Sequence, residues 1–260
     1  MSVAHSAAPI AASSQPDVTW NNAKPEVRLM YWMFVGFYTL LTVCVVVFGR
    51  ATPPPQPDVT DLQVALWYAE HRVVIQIGFV LLLATAGGAA IANGIIGYFM
   101  LRMSSGKALA YAYIGSMGVG ALPGFQLIAL CWLTALYRPE RSAESMHMLY
   151  DLGMLSYNGT AGCFTAAYIV LAIAILYDKN KIFPKWFAYV QLWQVVTELL
   201  ATQMFVFPAG AFSWNGAITF WIAVSVFGAW VVFLLPILRQ AAKAEPANAP
   251  GIYADLQGAK

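Results

Sequence analysis

Glu198 lies inside the apolar stretch FAYVQLWQVVTELLATQMFVF. A carboxylate at membrane depth costs so much free energy that it points to function by default. At about 100° per helical residue, Gln191, Gln194, Glu198 and Thr202 share one narrow arc, while Leu192, Val196 and Leu199 point elsewhere. A second polar stripe precedes it: His147, Asp151 and Asn158 stand at i, i+4 and i+11, flanked by Tyr150 and Tyr157. Lipid offers such stripes no hydrogen-bond partners, so in a small bundle they should face each other or a shared cavity. Gln76, Gln126 and Asn215 are expected at similar depth, with Glu70, His71, Arg72, Arg138 and Arg141 at the rim. Two chemistries suit this group. The amides and carboxylates can hold the polar end of an amphipathic or lipidic molecule, or Glu198 and Asp151 can serve as acid and base on a terpenoid or sterol. The competing reading makes each amide interhelical glue worth about 0.6 kcal/mol, and pairs Asp151 with Arg138 or Arg141.

The elements that must position these residues are membrane helices. Hydrophobic residues make up 60% of the 260 and charged residues 10%, with a mean hydropathy of +0.65. Soluble chains carry about a quarter charged residues, so this is a polytopic membrane protein. Its apolar segments are continuous rather than alternating, which excludes a β-barrel. An all-α bundle of six spans is predicted, at about 28–49, 73–101, 108–136, 147–177, 184–207 and 211–238. The segment VALWYAEHR, with Trp67 and Tyr68, reads as a short interfacial helix before the second span. One membrane domain over 27–240 is therefore expected, between a disordered tail at 1–26 and a flexible one at 241–260. One set of flanks holds Lys24, Arg28, Arg102, Lys107, Lys179, Lys181, Lys185, Arg239 and Lys243; the other holds only Arg50, Arg72, Arg138 and Arg141. The positive-inside rule then puts both termini in the cytoplasm. Rise per residue sets Asp151 about 6–8 Å and Glu198 roughly 9–14 Å below the outer boundary, so an outward-facing polar pocket is predicted. Trp186 and Trp214 are expected as interfacial anchors.

Other classes find little support. Basic residues are scattered, so no nucleic acid partner is expected. Cys44, Cys131 and Cys163 each sit in an apolar run without zinc-ligand spacing. His147 and Asp151 at i and i+4, with Glu70, His71 and Glu198, make a metal shell sterically conceivable, but only three histidines are present and His5 is in the tail. No metal and no cofactor are predicted. Ala84, Gly88 and Ala92, then Gly120 and Gly124, then Gly159 and Cys163, form rows suited to close helix packing. Pro123 should kink the third span.

The stretches YAEHRVVIQIGFVLLL, ALYRPERSAESMHMLYDLGML, ILYDKNKIFPKWFAYVQLW and GAFSWNGAITFW resemble a family of uncharacterised bacterial membrane proteins of similar length. Its motifs fall at 138–151, 183–186 and 212–216. The resemblance implies bacterial origin and six spans, with no reaction attached, and the expected location is the bacterial inner membrane. Three functions follow as expectations. The first is binding or helping to move a small hydrophobic molecule from the bilayer; the second is an accessory role beside a membrane-protein partner or within a homo-oligomer. The third is an acid–base isomerase or cyclase, the only chemistry left without a nucleophile, phosphate cradle or metal box.

Overall fold

The computed structural model describes residues 20–138 and 140–243, so most of both expected tails lies outside the described residues. Among these, every regular element is helical and there is no β-strand. Helix α1, Pro25–Thr42, begins on a proline whose missing N–H costs nothing at the first helical position. It runs on through a π-helical stretch, Val43–Phe48. Helix α2, Asp61–Thr85, starts on a reciprocal cap: the Thr60 hydroxyl accepts from the Gln63 N–H at 3.3 Å, and Gln63 Oε1 accepts from the Thr60 N–H at 2.8 Å. That cap corrects the interfacial-helix expectation, because VALWYAEHR forms the first turns of α2 itself. The expected second span breaks instead at Ala86 and Gly87 before α3, Gly88–Met100.

Helix α4, Lys107–Tyr137, holds Pro123 within one continuous element. The fourth span is divided at Gly159 and Thr160 into α5, Ala143–Asn158, and α6, Ala161–Tyr177. Helix α7, Trp186–Ala201, ends in a 3-10 turn, Thr202–Phe205. A π-helical stretch, Ala217–Ile222, leads into α8, Ala223–Lys243.

Five helical elements are long and apolar enough to cross a membrane: Pro25–Phe48, Asp61–Thr85, Lys107–Tyr137, Ala143–Tyr177 and Gly210–Lys243. The expected span at 184–207 is not among them. Helix α7 is short, and Gln191, Gln194 and Glu198 dilute its apolar character. Protein contacts hold it instead, since it packs along α6 and α8. Helix α4 is the centre of the bundle, packed on α2, α3, α5 and α6. A Cβ on Gly120 would stand 2.8 Å from Cys163 Cβ, so only glycine lets α4 approach α6 this closely. Gly78 does the same for α2, where a Cβ would meet Phe48 Cβ at 2.7 Å.

Both ends of the bundle are tied by polar contacts. At one end the first loop is pinned from two sides, by α5 and by the turn that holds Trp214 and Asn215. Tyr150 donates its hydroxyl to the Pro55 carbonyl at 3.0 Å, Trp214 Nε1 donates to the same oxygen at 2.9 Å, and Asn215 donates to the Pro54 carbonyl at 3.3 Å. Beneath them Trp132 stacks on Tyr150 with ring centroids 5.1 Å apart. Trp214 is therefore buried in this plug rather than standing as a lipid-facing anchor, whereas Trp186 is exposed.

At the opposite end the Asp178 carboxylate accepts backbone N–H bonds from Ser104 at 2.9 Å, Asn180 at 2.9 Å and Ile182 at 2.8 Å. Burial alone would push this carboxyl up, but the three N–H donors and the Ser104 hydroxyl hold it below its ordinary value. Lys185 caps the end of α6, its ammonium donating to the carbonyls of Ile175 and Asp178 at 2.6 and 2.9 Å and to that of Leu176.

Candidate functional site

Between these two tied ends lies a cavity of about 580 Å³, to whose wall all of α1 to α8 contribute. Most of its wall is apolar, and among the described residues Glu198 is the only charged side chain on it. Its position follows from the helix: α7 places Glu198 one turn beyond Gln194 on the same face, between α6 and α8. Among the described residues Glu198 has no hydrogen bond and no ion-pair partner. Tyr157 and Tyr168 also line the cavity, within electrostatic range of that carboxylate, and their hydroxyls have no hydrogen-bond partner among the described residues. Three polar groups thus converge on empty space without satisfying one another. Polar groups that face a cavity without protein partners are available to bind something else.

The expected site residues divide sharply. Asn158, Gln194 and Glu198 line the cavity. Asn158 donates to the Met154 carbonyl at 3.1 Å, and Gln194 to the Val226 carbonyl at 3.0 Å, so both already have partners. Gln191 shares the arc of Glu198 but is consumed by packing: it accepts from Trp230 Nε1 at 2.9 Å and ties α7 to α8. Gln76 is half-buried on α2 away from the cavity, and Gln126 is exposed on the outside of α4. Asn215 belongs to the proline-loop plug.

His147 and Asp151 depart furthest from the expected shared pocket. His147 Nδ1 lies 2.6 Å from Asp61 Oδ1, and its Nε2 lies 3.4 Å from Asp151 Oδ1. The first turn of α2 has captured this stripe at the bundle surface, so Asp151 and Glu198 do not face a common substrate. Asp151 pairs with a histidine rather than with Arg138 or Arg141. Because the His147 ring offers its two nitrogens to different carboxylates, these groups do not converge on one point. Among the described residues no group of three or more His, Cys, Asp or Glu side chains is placed to hold a metal ion. Around the expected rim, Glu70 and Arg138 are exposed, His71 meets the Trp67 carbonyl at 3.0 Å, and Arg72 donates to the Leu136 carbonyl at 2.9 Å. Arg141 is half-buried, with its Nε unpartnered.

Sequence reasoning missed Tyr38, Asn93 and Tyr168. Asn93 accepts from the Tyr38 hydroxyl at 3.3 Å and bonds the Ala89 carbonyl at 2.9 Å, forming a satisfied polar spot on the wall. An amide in the middle of an apolar helix was its one legible signal. Tyr168 has none, because a tyrosine in an apolar run looks like ordinary core.

The cavity is partly open. Thr39 and Thr42 of α1, Val46 of the π-helical stretch that follows it, and Val224, Gly228 and Val232 of α8 line it and are themselves exposed. Val47 and Phe233, just outside the lining, are exposed too. The cavity wall thus runs continuously onto the outer apolar surface along the α1/α8 seam, where the two helices touch only sparsely. No protein-family model, no curated protein and no solved structure matches this chain.

Proposed function

We propose that the protein binds a small amphipathic or lipidic molecule in this cavity, as an integral protein of a bacterial inner membrane with both termini in the cytoplasm. The observation that carries the proposal is the unpaired Glu198 carboxylate beside two unpaired tyrosine hydroxyls, on the wall of a mainly apolar space. The volume, about 580 Å³, lies within the roughly 300–1,000 Å³ typical of small-molecule sites. The seam between α1 and α8 supplies a route from the hydrocarbon layer, so a molecule dissolved in the bilayer reaches Glu198 without crossing water. Gly228 is the natural place to test the route, because a Cβ there meets nothing within 4 Å. Gly228→Trp should preserve thermal stability in detergent while weakening amphiphile-induced stabilisation across a panel of lipids and alkyl amphiphiles. Stabilisation unchanged in the variant, or absent from the wild type with every amphiphile, would count against the proposal.

A second reading, docking to a membrane-protein partner or a second copy, is favoured by Gln126. This amide is exposed on α4, beside the exposed Leu127 and Leu130, where lipid would leave it unsatisfied. Purification in mild detergent separates the possibilities: a monodisperse monomer with no co-purifying chain argues against docking. The acid–base enzyme loses its geometry, because Asp151 does not reach the cavity that holds Glu198.

A further inference from the structure

The charge balance of the cavity narrows the class of molecule it takes. Among the described residues no lysine, arginine or histidine lines it, so the negative charge that Glu198 would bear has no counter-charge on that wall. A buried carboxylate without a counter-ion is strongly unfavourable, and a ligand that brings a positive charge removes that penalty on binding. Aromatic side chains surround the same space: Tyr38, Tyr157, Tyr168, Phe125, Phe164 and Phe227 all contribute to the wall. Ring faces attract cations through their quadrupoles, and desolvated aromatic boxes favour ammonium groups. Elsewhere the protein supplies its own cations. Lys185 caps α6, and Arg239 lies 5.4 Å from the centre of the Trp20 ring. Neither cation reaches the cavity, whose wall holds Glu198 without a counter-charge among the described residues.

We infer that the site selects a lipophilic cation: an amphiphile whose ammonium head pairs with Glu198 inside the aromatic wall, with its tail directed toward the α1/α8 seam. The inference rests on the cavity being a binding site. An anionic amphiphile such as a fatty acid is disfavoured by the same geometry, since it would meet Glu198 with no basic residue to accept it. A neutral alcohol can hydrogen-bond the carboxylate but gains neither the ion pair nor the cation–π attraction.

The test uses the full chain in a nonionic detergent at neutral pH and three probes of equal chain length, decylamine, decanol and decanoate, with binding read from intrinsic tryptophan fluorescence. The amine should bind about tenfold more tightly than the alcohol, the factor expected from one charge-assisted contact supported by ring faces, with decanoate weakest. Glu198→Gln should bring the amine down to the affinity of the alcohol and leave the alcohol unchanged. Equal binding of amine and alcohol to the wild type overturns the inference without needing a variant, as does a preference for the amine that survives Glu198→Gln. If all three probes bind alike and Gly228→Trp weakens them alike, the cavity reading stands and the cation inference alone fails. If no probe binds the wild type, both fall.

Discussion

The polar clamps at the two ends of the bundle and the Glu198 cluster in its middle use polar groups differently. At the ends, Asp178 accepts three backbone N–H bonds, Lys185 caps three carbonyls, and the Pro54 and Pro55 carbonyls are claimed by Tyr150, Trp214 and Asn215. In the middle, Glu198, Tyr157 and Tyr168 face a cavity with no hydrogen-bond partners among the described residues. A satisfied network fixes structure and an unsatisfied one is available for binding. Helix α7 shows both uses, packed between α6 and α8: its Gln191 is spent on Trp230, while its Glu198 carboxylate has no hydrogen-bond partner among the described residues.

If that division is right, substitutions at the ends change stability and leave ligand binding intact, whereas substitutions in the middle do the reverse. The largest effect is expected from Trp132→Ala, which empties a fully buried indole site between Trp67, Phe79 and Tyr150 and should cost about 3–5 kcal/mol in thermal or denaturant unfolding. Next, Asp178→Ala strands three N–H donors at the opposite end and should cost about 1–3 kcal/mol. Because the Asp178 carboxyl is held below its ordinary value of 3.8, its stabilisation is fully present above that value and is lost as pH falls through the lower, folded one. The stability gap between wild type and Asp178→Ala should therefore shrink under acid, and a gap independent of pH would contradict the clamp. Gln191→Leu leaves Trp230 Nε1 without its acceptor and should cost about 1–2 kcal/mol while sparing amphiphile binding. Smallest is His147→Ala: its carboxylate partners Asp61 and Asp151 are 54% and 41% exposed, so unfolding should move by only about 0.2–1 kcal/mol. A loss of cavity binding in His147→Ala or Asp151→Asn would blur the boundary between the two regions.

The sequence exposes the helices more readily than their partners. Long apolar runs announce α1, α2, α4 and α8, because crossing a bilayer demands length and apolarity that few other folds need. The breaks at Gly87 and Gly159 were less visible, since each interrupts an apolar run without a charge or proline to mark it. Glu198 was legible as a misplaced charge. Its companions were not, because an arc on one helix says which residues share a face without saying which neighbour covers it. Gln191 met an indole from α8, and His147 was captured by Asp61, 86 residues earlier in the chain. Pairings over such separations are set by tertiary packing, which local periodicity does not encode.

The central claim is that the cavity is a ligand site organised on Glu198, and the most direct measurement is an experimental density map of the protein purified from its native membrane in mild detergent. The account predicts elongated density between α1, α7 and α8, with its polar end within hydrogen-bonding distance of the Glu198 carboxylate and its tail toward Gly228. A cavity filled by repacked side chains, or density that never approaches Glu198, would contradict it.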